Sequence, residues 1–356
     1  MGIKTLLAGM DRSRFNPFLG LPIHEDYVDN FRGLNIKVLH SEFLNKFDIA
    51  GLLRLLSLIK RRQIDIIHSH VQITDLMVAL AGRIFPSVKT VTTIHAPINI
   101  DGNLQRERTF RAHTYKWVLR HGFDRIITVS RALRQEVIQK ARINPAKVMH
   151  IVNGVDPSPL AQVDRERARS LLSIEDHRRV VVQVAWFGLR KGHGILIDRA
   201  STIVKHVPEV LFLLVGDGRL KESCEVMVDQ LGLGKYFRFL GYREDVPRLL
   251  AASDLAVLPS FSEGLPRSLL EAMGTGLPVV ASGLDGIAEL VVHGVTGLLV
   301  RSGSPAEFAE AVVRLLKDPE LSREMGLRGK QRVAKHFHQA KMVSATERLY
   351  EQLMAD

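Results

Sequence analysis

The chain has one cysteine, Cys224, among 356 residues. It can form no internal disulfide, which favours a reducing compartment. No apolar run approaches the roughly 18 residues that a membrane-spanning helix needs. Residues 1–10 lack the apolar region and cleavage site of a signal peptide, and Leu6 stands where an N-myristoylation signal requires Ser or Thr. These absences predict a cytoplasmic protein.

The size and composition predict a soluble globular protein with two domains. The hydrophobic fraction is 46% and the charged fraction 24%, which excludes a disordered chain. At 356 residues the chain is too long for one ordinary hydrophobic core.

Positive charge is concentrated in the first half of the chain. Residues 1–157 carry 23 Lys and Arg against 13 Asp and Glu, a balance of +10, whereas the remaining residues carry 26 against 25. This asymmetry predicts an anionic partner for the first half, and an anionic membrane surface or a lipid-linked phosphate fits best. Nucleic acid is not expected because no recognised binding module is present. For either basic helix alone a solvated helix face is the simpler interpretation, and the asymmetry between the two halves is what favours an anionic surface. The basic side chains that we assign to two amphipathic helices are Lys60, Arg61, Arg62, Arg106, Arg108, Arg111, Lys116 and Arg120.

Short apolar segments alternate with amphipathic segments along the chain. The apolar segments are rich in β-branched residues and almost continuous, as in parallel strands that are buried on both faces. This alternation predicts a doubly wound α/β fold. The predicted strands are Ile36–Leu39, Ile64–His68, Val88–Ile94, Arg125–Val129, Val148–Val152, Val180–Val184, Leu211–Val215, Phe237–Phe239, Leu255–Leu258 and Val279–Ala281.

Turn residues and two prolines between 153 and 164 mark the boundary between the two predicted domains. We place one Rossmann-like domain at 1–157 and a second at 158–335. Residues 336–356 form a last helix, which we expect to return to the first domain.

The beginning of the chain departs from the usual order of a doubly wound domain. Ile3, Leu6, Leu7 and Met10 have helical spacing, so an amphipathic helix is expected where a strand and a glycine turn normally come first. The first domain is therefore predicted to lack its first strand. A start site assigned too late and a genuine loss of the strand both explain this, and the first explanation is simpler.

Two acidic residues stand out near a predicted strand-loop-helix junction. Glu263 lies in a Gly/Pro loop after the strand Leu255–Leu258, and Glu271 lies two turns into the following helix. In open α/β sheets, ligands bind at the carboxyl ends of the strands. Ionised carboxylates accept hydrogen bonds, so this pair suits the hydroxyl groups of a sugar or ribose.

These residues belong to a longer pattern that resembles the family-four retaining glycosyltransferases of the GT-B fold. The resemblance covers almost the whole chain, and the order and spacing of its motifs make it specific. The matching motifs are Ser130, Asn153–Asp156, Lys191–His193, Gly216–Gly218, Phe239–Tyr242, Glu263–Pro266, Leu270–Met273, Gly276–Ala281 and Gly294–Val300.

The resemblance implies two Rossmann-like domains that face each other, with a nucleotide-sugar donor mainly against the second. Glu271 matches the carboxylate that holds the ribose. Glu263 matches an acid near the donor sugar, and the amides of Gly264 and Leu265 are expected to donate hydrogen bonds to sugar or phosphate. An exposed helix residue is the alternative for Glu271, and a helix-capping acid is the alternative for Glu263.

The resemblance also implies how the diphosphate is held. Lys191 matches a phosphate-binding lysine, which would stabilise the charge that develops on the leaving group. Neither a metal site nor a cofactor is expected, and no Asp-x-Asp pair suited to magnesium is present. Gly241 and Tyr242 match a loop that meets the nucleobase, and this loop does not distinguish uracil from guanine.

A family histidine near the reacting sugar is matched by His95. A polar residue that closes a buried strand is an equally good interpretation of a lone histidine. His68 and His70 lie at a neighbouring strand end, but no carboxylate or cysteine completes a metal-binding set with them.

One substitution departs from the family pattern. The family usually has arginine five residues before the phosphate-binding lysine, where this chain has Trp186. Arg190 is the candidate replacement, although its side chain should leave the loop in another direction. The loss of one charge-assisted hydrogen bond to phosphate costs about 1.5–3 kcal/mol.

The leading hypothesis is a retaining transferase that moves a sugar from a UDP- or GDP-linked donor to a hydroxyl of a glycan or lipid-linked acceptor, for cell-surface glycan or lipopolysaccharide synthesis. A nucleotide-sugar-binding protein that has lost catalysis is the alternative, motivated by Trp186 and the missing strand. A sugar-nucleotide epimerase on the same fold is a third possibility, but its acid/base pair is not identifiable.

Overall fold

The structure is a computed structural model that describes residues 2–21, 31, 33–34, 36–40, 48–98, 114–158 and 163–355. The chain divides into two compact units. The first consists of Met1–Gly154 together with Gln339–Asp356, and the second of Val155–His338.

The first unit alternates helices and strands, and it opens in a helix as the spacing of its apolar residues predicts. In chain order its elements are α1 Gly2–Gly9, β1 Phe18–Leu21, β2 Lys37–His40, α2 Ile49–Arg62, β3 Ile66–Ser69, α3 Gln72–Ile84, β4 Lys89–Ile94, β5 Arg125–Thr128, α4 Arg131–Ala141 and β6 Val148–His150. Residues 114–121 are also helical.

The strands of the first unit form two separate parallel sheets. Among the described residues, one contains β3, β4, β5 and β6 in that order, and the other contains β1 and β2. Asp75 of α3 fastens the larger sheet to its helices. Its buried carboxylate accepts hydrogen bonds from Ser69 Oγ at 2.5 Å, Thr92 Oγ1 at 3.0 Å and Tyr115 OH at 2.8 Å. A buried carboxylate is tolerated because all these donors satisfy it.

The second unit continues the numbering. Its elements are α5 Arg165–Leu171, β7 Arg179–Val184, α6 His193–His206, β8 Val210–Val215, α7 Lys221–Gln230, β9 Phe237–Phe239, α8 Val246–Ala251, β10 Leu255–Leu258, α9 Arg267–Thr275, β11 Val279–Ser282, α10 Asp285–Ala288, β12 Leu298–Val300, α11 Pro305–Lys317 and α12 Pro319–His336. The last helix, α13 Gln339–Ala355, belongs to the first unit.

The second unit contains one parallel six-stranded sheet with the order β12-β11-β10-β7-β8-β9. All six residues of β8 are buried, as expected for a parallel strand covered on both faces. Phe212 and Phe308 are fully buried in its core. In the first unit, Leu6 of α1 packs in one cluster with Met342 and Tyr350 of α13, so the last helix covers the first.

The predicted doubly wound α/β architecture is confirmed, and the structure adds two strands. Each of the ten predicted strands overlaps an observed one, with ends that differ by at most two residues. The sequence analysis missed β1 and β12. Both are short, with four and three residues, so too few positions exist for a periodic apolar pattern to stand out.

Candidate functional site

The topology of the second unit identifies one edge of its sheet as the candidate binding site. From β7 the chain continues outward through β8 to β9, whereas from β10 it continues the opposite way through β11 to β12. Loops after β7 and β10 therefore diverge from neighbouring strand ends. This switch point is where open α/β sheets bind ligands, in the crevice beyond the carboxyl ends of the strands.

Lys191 lies in the loop that follows β7. It ends a short 3-10 turn, Leu189–Lys191, and Gly192 then takes a left-handed conformation with φ of 68°. A Cβ at Gly192 would lie 2.0 Å from the carbonyl oxygen of Pro259, so only glycine permits this close approach of the two loops. The buried side-chain amide of Gln183, in β7, donates to the Lys191 carbonyl at 2.8 Å and so ties the turn to the strand.

Glu263 lies in the loop after β10 and contacts Lys191 directly. Its Oε1 accepts from Lys191 Nζ at 2.6 Å and from Ser260 Oγ at 2.8 Å. The Glu263 side chain is 9% exposed and that of Lys191 23%. A backbone hydrogen bond from Phe261 to the Arg190 carbonyl, 2.8 Å long, also joins the two loops. The structure thus brings the predicted cation and acid together at the switch point.

Glu271 lies on α9 and is already paired. Arg267, one turn earlier on the helix, donates through Nε to Glu271 Oε1 at 2.8 Å, and the Glu271 side chain is 14% exposed. Gly264 and Leu265 are buried in the loop before this helix. The Gly264 carbonyl leaves no room for a Cβ at Gly286, which would lie 1.7 Å from its oxygen. Close backbone contact with α10 therefore fixes the conformation of the Gly264–Leu265 segment.

Gly241 and Tyr242 lie beyond the carboxyl end of β9. The Gly241 carbonyl accepts from the Gly216 amide at 2.8 Å, and this bond ties the loop after β9 to the loop after β8. The side chain of Tyr242 is 57% exposed. These residues are placed at the same edge of the sheet as Lys191.

His95 lies in the first unit, just beyond the carboxyl end of β4, beside two more histidines. His70 Nδ1 and His95 Nε2 are 3.3 Å apart, and the rings of His70 and His68 stack with centroids 4.1 Å apart. His68 is held by Tyr350 OH at 2.6 Å and Thr93 Oγ1 at 2.7 Å. The sequence analysis placed these histidines at neighbouring strand ends but did not predict that they stack.

All three histidines are neutral at pH 7. Burial lowers the pKa of His68 to about 3, since desolvation disfavours the imidazolium ion. The pKa of His70 is lowered for the same reason, with repulsion from His68 as a further cause. His95 keeps part of its surface open to solvent, yet the protein around it lowers its pKa to about 4. Within the described parts of the chain, no group of three His, Cys, Asp or Glu side chains could hold a metal ion.

The surface of the first unit exposes basic side chains beside apolar ones. Lys60, Arg61 and Arg62 are exposed at the end of α2, and Leu53 of the same helix is 61% exposed. Arg83 stacks over Trp117, which is 53% exposed, with 5.5 Å from the guanidinium carbon to the ring centroid. No described helix has the length and hydropathy needed to cross a bilayer.

Not every predicted basic residue takes part in this surface. Arg120 donates twice to the Ala141 carbonyl, at 2.7 and 3.1 Å, and is partly buried. Its assignment to an anion-facing helix surface was therefore wrong, because its charge caps a helix end instead. Arg106, Arg108 and Arg111 lie outside the described residues.

Several residues that support the site were missed by the sequence analysis. Gln183 is a polar residue inside an apolar strand, which is a signal that could have been used. Arg267 stands four residues before Glu271, the spacing of a helical ion pair. Ser260 carries no such signal, because its contact with Glu263 depends on the folded loop.

Family models and curated relatives match most of this chain. The family model for glycosyl transferases group 1 matches residues 164–332, and the model for glycosyltransferase family 4 matches residues 14–159. N-acetyl-alpha-D-glucosaminyl L-malate synthase of Bacillus anthracis is 29% identical over 87% of this chain and 80% of its own length. The UDP-Gal:alpha-D-GlcNAc-diphosphoundecaprenol alpha-1,3-galactosyltransferase of Escherichia coli is 27% identical over 98% of this chain and 95% of its own length.

Solved structures show the same fold. HepE of Anabaena in complex with UDP and glucose superposes with a TM-score of 0.86, covering 99% of this chain and 95% of HepE at 22% identity. A sucrose-phosphate synthase of Thermosynechococcus elongatus gives a TM-score of 0.82 at 21% identity, covering 99% and 92% of the two chains. These likenesses show the GT-B fold, and the two adjoining family matches show that the chain belongs to glycosyltransferase family 4.

Proposed function

We propose that the protein is a retaining glycosyltransferase that transfers a sugar from a UDP-linked donor to a hydroxyl group of a glycan or lipid-linked acceptor. The Lys191–Glu263 pair carries this proposal. It places a cation and an acid at the switch point of the sheet, where a donor's diphosphate and sugar would meet. A GDP-linked donor is the other choice, and the solved neighbours with UDP or UDP-glucose favour uridine.

Lys191 would stabilise the departing diphosphate. Breaking the bond to the sugar builds negative charge on the bridging oxygen, and a fixed cation there stabilises the transition state more than the bound donor. Without donor, Lys191 is neutralised by Glu263. The donor's phosphate would compete with Glu263 for this cation. Binding of the diphosphate would therefore free the Glu263 carboxylate to contact the sugar.

Other residues would orient the donor. Glu271 would accept hydrogen bonds from the ribose hydroxyls, and the amides of Gly264 and Leu265 would donate to sugar or phosphate. Gly241 and Tyr242 would meet the nucleobase. His95 would contact the reacting sugar as a neutral imidazole, since its pKa of about 4 keeps it uncharged at neutral pH.

Retention without a dedicated nucleophile suggests attack from the face that the leaving group departs. The leaving phosphate would then accept the proton of the acceptor hydroxyl. Lys191, Arg190 and loop amides would balance the charge, so we expect transfer without a divalent metal and full activity in EDTA.

The first unit would receive the acceptor. The Escherichia coli relative is named for a diphosphoundecaprenol acceptor, and the exposed basic side chains of Lys60, Arg61 and Arg62 fit a lipid-linked phosphate. We propose peripheral attachment to the inner face of an anionic membrane and a role in cell-surface glycan synthesis.

A thermal-shift panel with UDP, GDP and their sugars tests donor binding, because ligands stabilise a protein according to their concentration over Kd. UDP and a UDP-sugar should raise Tm, and Lys191→Ala should abolish most of this rise. Lys205→Ala, on the exposed end of α6, is the matched control. No stabilisation by any nucleotide would contradict the proposal.

A nucleotide-sugar-binding protein without catalysis remains the second candidate, favoured by Trp186 in place of the usual arginine. Release of UDP from a UDP-sugar, measured with wild type and Lys191→Ala, separates the two. Turnover that needs Lys191 supports the transferase, and binding without turnover supports the second candidate.

A further inference from the structure

The indole of Trp186, in the loop after β7, packs closely against two glycine residues. A Cβ at Gly188 would lie 1.9 Å from the indole Cζ3, and a Cβ at Gly218 would lie 2.6 Å from its Nε1. Both neighbours must therefore be glycine for the ring to lie where it does. The side chain is still 49% exposed, so one face of the ring remains open.

A guanidinium group lies over this ring. The Arg219 guanidinium carbon is 5.9 Å from the Trp186 ring centroid, within the range of a cation–π contact. Two backbone hydrogen bonds fix the chain around Arg219, from Phe187 to the Asp217 carbonyl at 2.8 Å and from Leu220 to the Phe187 carbonyl at 3.2 Å. The loops after β7 and β8 thus hold Arg219 beside Trp186.

Arg219 has a charge that the described protein does not neutralise. No carboxylate of the described residues lies within ion-pairing distance of it, and its side chain donates no hydrogen bond to them. Asp217, the nearest acid in sequence, turns into its own loop, where Oδ1 accepts from the Gly218 amide at 2.8 Å. Arg219 is exposed, its guanidinium lies over an aromatic ring, and it has no anionic partner among the described residues, so it is available to an anionic ligand.

Trp186 also connects Arg219 to the turn that carries Lys191. The indole packs on Gly188, and the Gly188 carbonyl accepts from the Lys191 amide at 3.0 Å. Arg219 and Lys191 therefore follow adjacent strands, β8 and β7, and share one packed loop assembly. Arg190, the other cation of this loop, leaves the turn next to Lys191 and is not held against an aromatic ring by any contact among the described residues.

We propose that Arg219, positioned by the Trp186 indole, is the second cation that binds the diphosphate of the donor. Trp186 then replaces the usual arginine at its position indirectly, as a platform for a guanidinium from the next loop. This inference rests on the proposed function, since it concerns the same nucleoside diphosphate.

Isothermal titration of the full-length protein with UDP and with uridine tests the proposal. Arg219→Ala should weaken UDP binding about tenfold and leave uridine binding unchanged, because only the diphosphate contact is lost. Trp186→Ala should weaken UDP binding in the same direction, and Trp186→Phe, which keeps an aromatic face, should restore most of it. The double variant Trp186→Arg/Arg219→Ala should regain affinity.

Arg323→Ala, an exposed arginine on α12, serves as the charge-matched control and should bind UDP as wild type does. Wild-type affinity of Arg219→Ala for UDP would overturn the inference and leave the proposed function intact. Equal losses for UDP and uridine would assign Arg219 a merely structural role and also overturn it. If wild type binds neither UDP nor GDP, the proposed function fails and this inference fails with it.

Discussion

The two units share an alternating α/β pattern but build their functional edges with different chemistry. In the second unit, the loops at the carboxyl edge of one six-stranded sheet carry ion pairs and close backbone contacts. Lys191 pairs with Glu263, and Arg267 pairs with Glu271. In the first, the strands are divided between two sheets, and the edge at His95 is lined with neutral, stacked histidines.

We relate this difference to the part of the substrate that each unit would bind. Charged groups held by several partners suit a ligand part that is always the same, such as a nucleoside diphosphate. Neutral imidazoles and an exposed basic surface suit sugars and acceptors, which vary among relatives whose names include both malate and diphosphoundecaprenol compounds.

Lys191→Ala should have the largest effect on the transfer rate of any substitution proposed here. We expect transfer to fall by about 10²–10³-fold, the effect of removing one preorganised group that stabilises developing charge. The measurement is the rate of UDP release from a UDP-sugar with acceptor present. Lys205→Ala should keep the wild-type rate, and a fall of less than about threefold in Lys191→Ala would refute the assigned role.

Glu271→Gln should weaken nucleotide binding at the same edge. The expected loss is about 10–100-fold in Kd for UDP, since a hydrogen bond to a charged group contributes roughly 1.5–3 kcal/mol. The control is 2′,3′-dideoxyuridine diphosphate, which lacks the ribose hydroxyls. Wild type and variant should bind this compound alike, and a variant that loses affinity for both compounds equally would argue against ribose recognition.

Arg61→Ala tests the basic surface of the first unit. One exposed basic side chain near an anionic bilayer contributes about 1 kcal/mol, so sedimentation with phosphatidylglycerol-containing vesicles should weaken about fivefold. Arg301→Ala, an exposed arginine of the second unit, should bind vesicles as wild type does. If neither the wild type nor Arg301→Ala binds vesicles at low salt, the proposal of membrane attachment is wrong.

The histidines predict a difference in acid stability. A histidine with a lowered folded pKa binds a proton more readily when unfolded, so stability falls as pH drops below the unfolded value of about 6.5. For His68 the fall continues toward its folded pKa of about 3, and for His95 toward about 4. The first unit, with three such histidines, should lose hydrogen-exchange protection before the second, where burial lowers the pKa of His193 to about 4.

The variant His70→Gln tests whether the histidines control the acid stability of the first unit. His70→Gln should make the loss of stability of the first unit between pH 6.5 and pH 4 less steep, while the second unit is unchanged. An unchanged pH dependence in His70→Gln would show that the His70 pKa does not control acid unfolding.

The continuous apolar strands were enough to predict the fold, and the positions of Glu263 and Glu271 in the sequence were enough to place both beyond the carboxyl end of β10. Each depends on local pattern. The Lys191–Glu263 ion pair and the stacking of His68 on His70 were not predictable, because both depend on how separate loops meet. Likewise β12, with three residues, is specified by its pairing with β11 more than by its own sequence.

We propose that the second unit holds the nucleotide of a donor at the switch point between β7 and β10. A crystal structure of the protein with UDP would test this directly. We expect the diphosphate against Lys191 and the ribose hydroxyls against Glu271, with Glu263 no longer paired to Lys191. UDP bound elsewhere, or with its ribose away from Glu271, would contradict it.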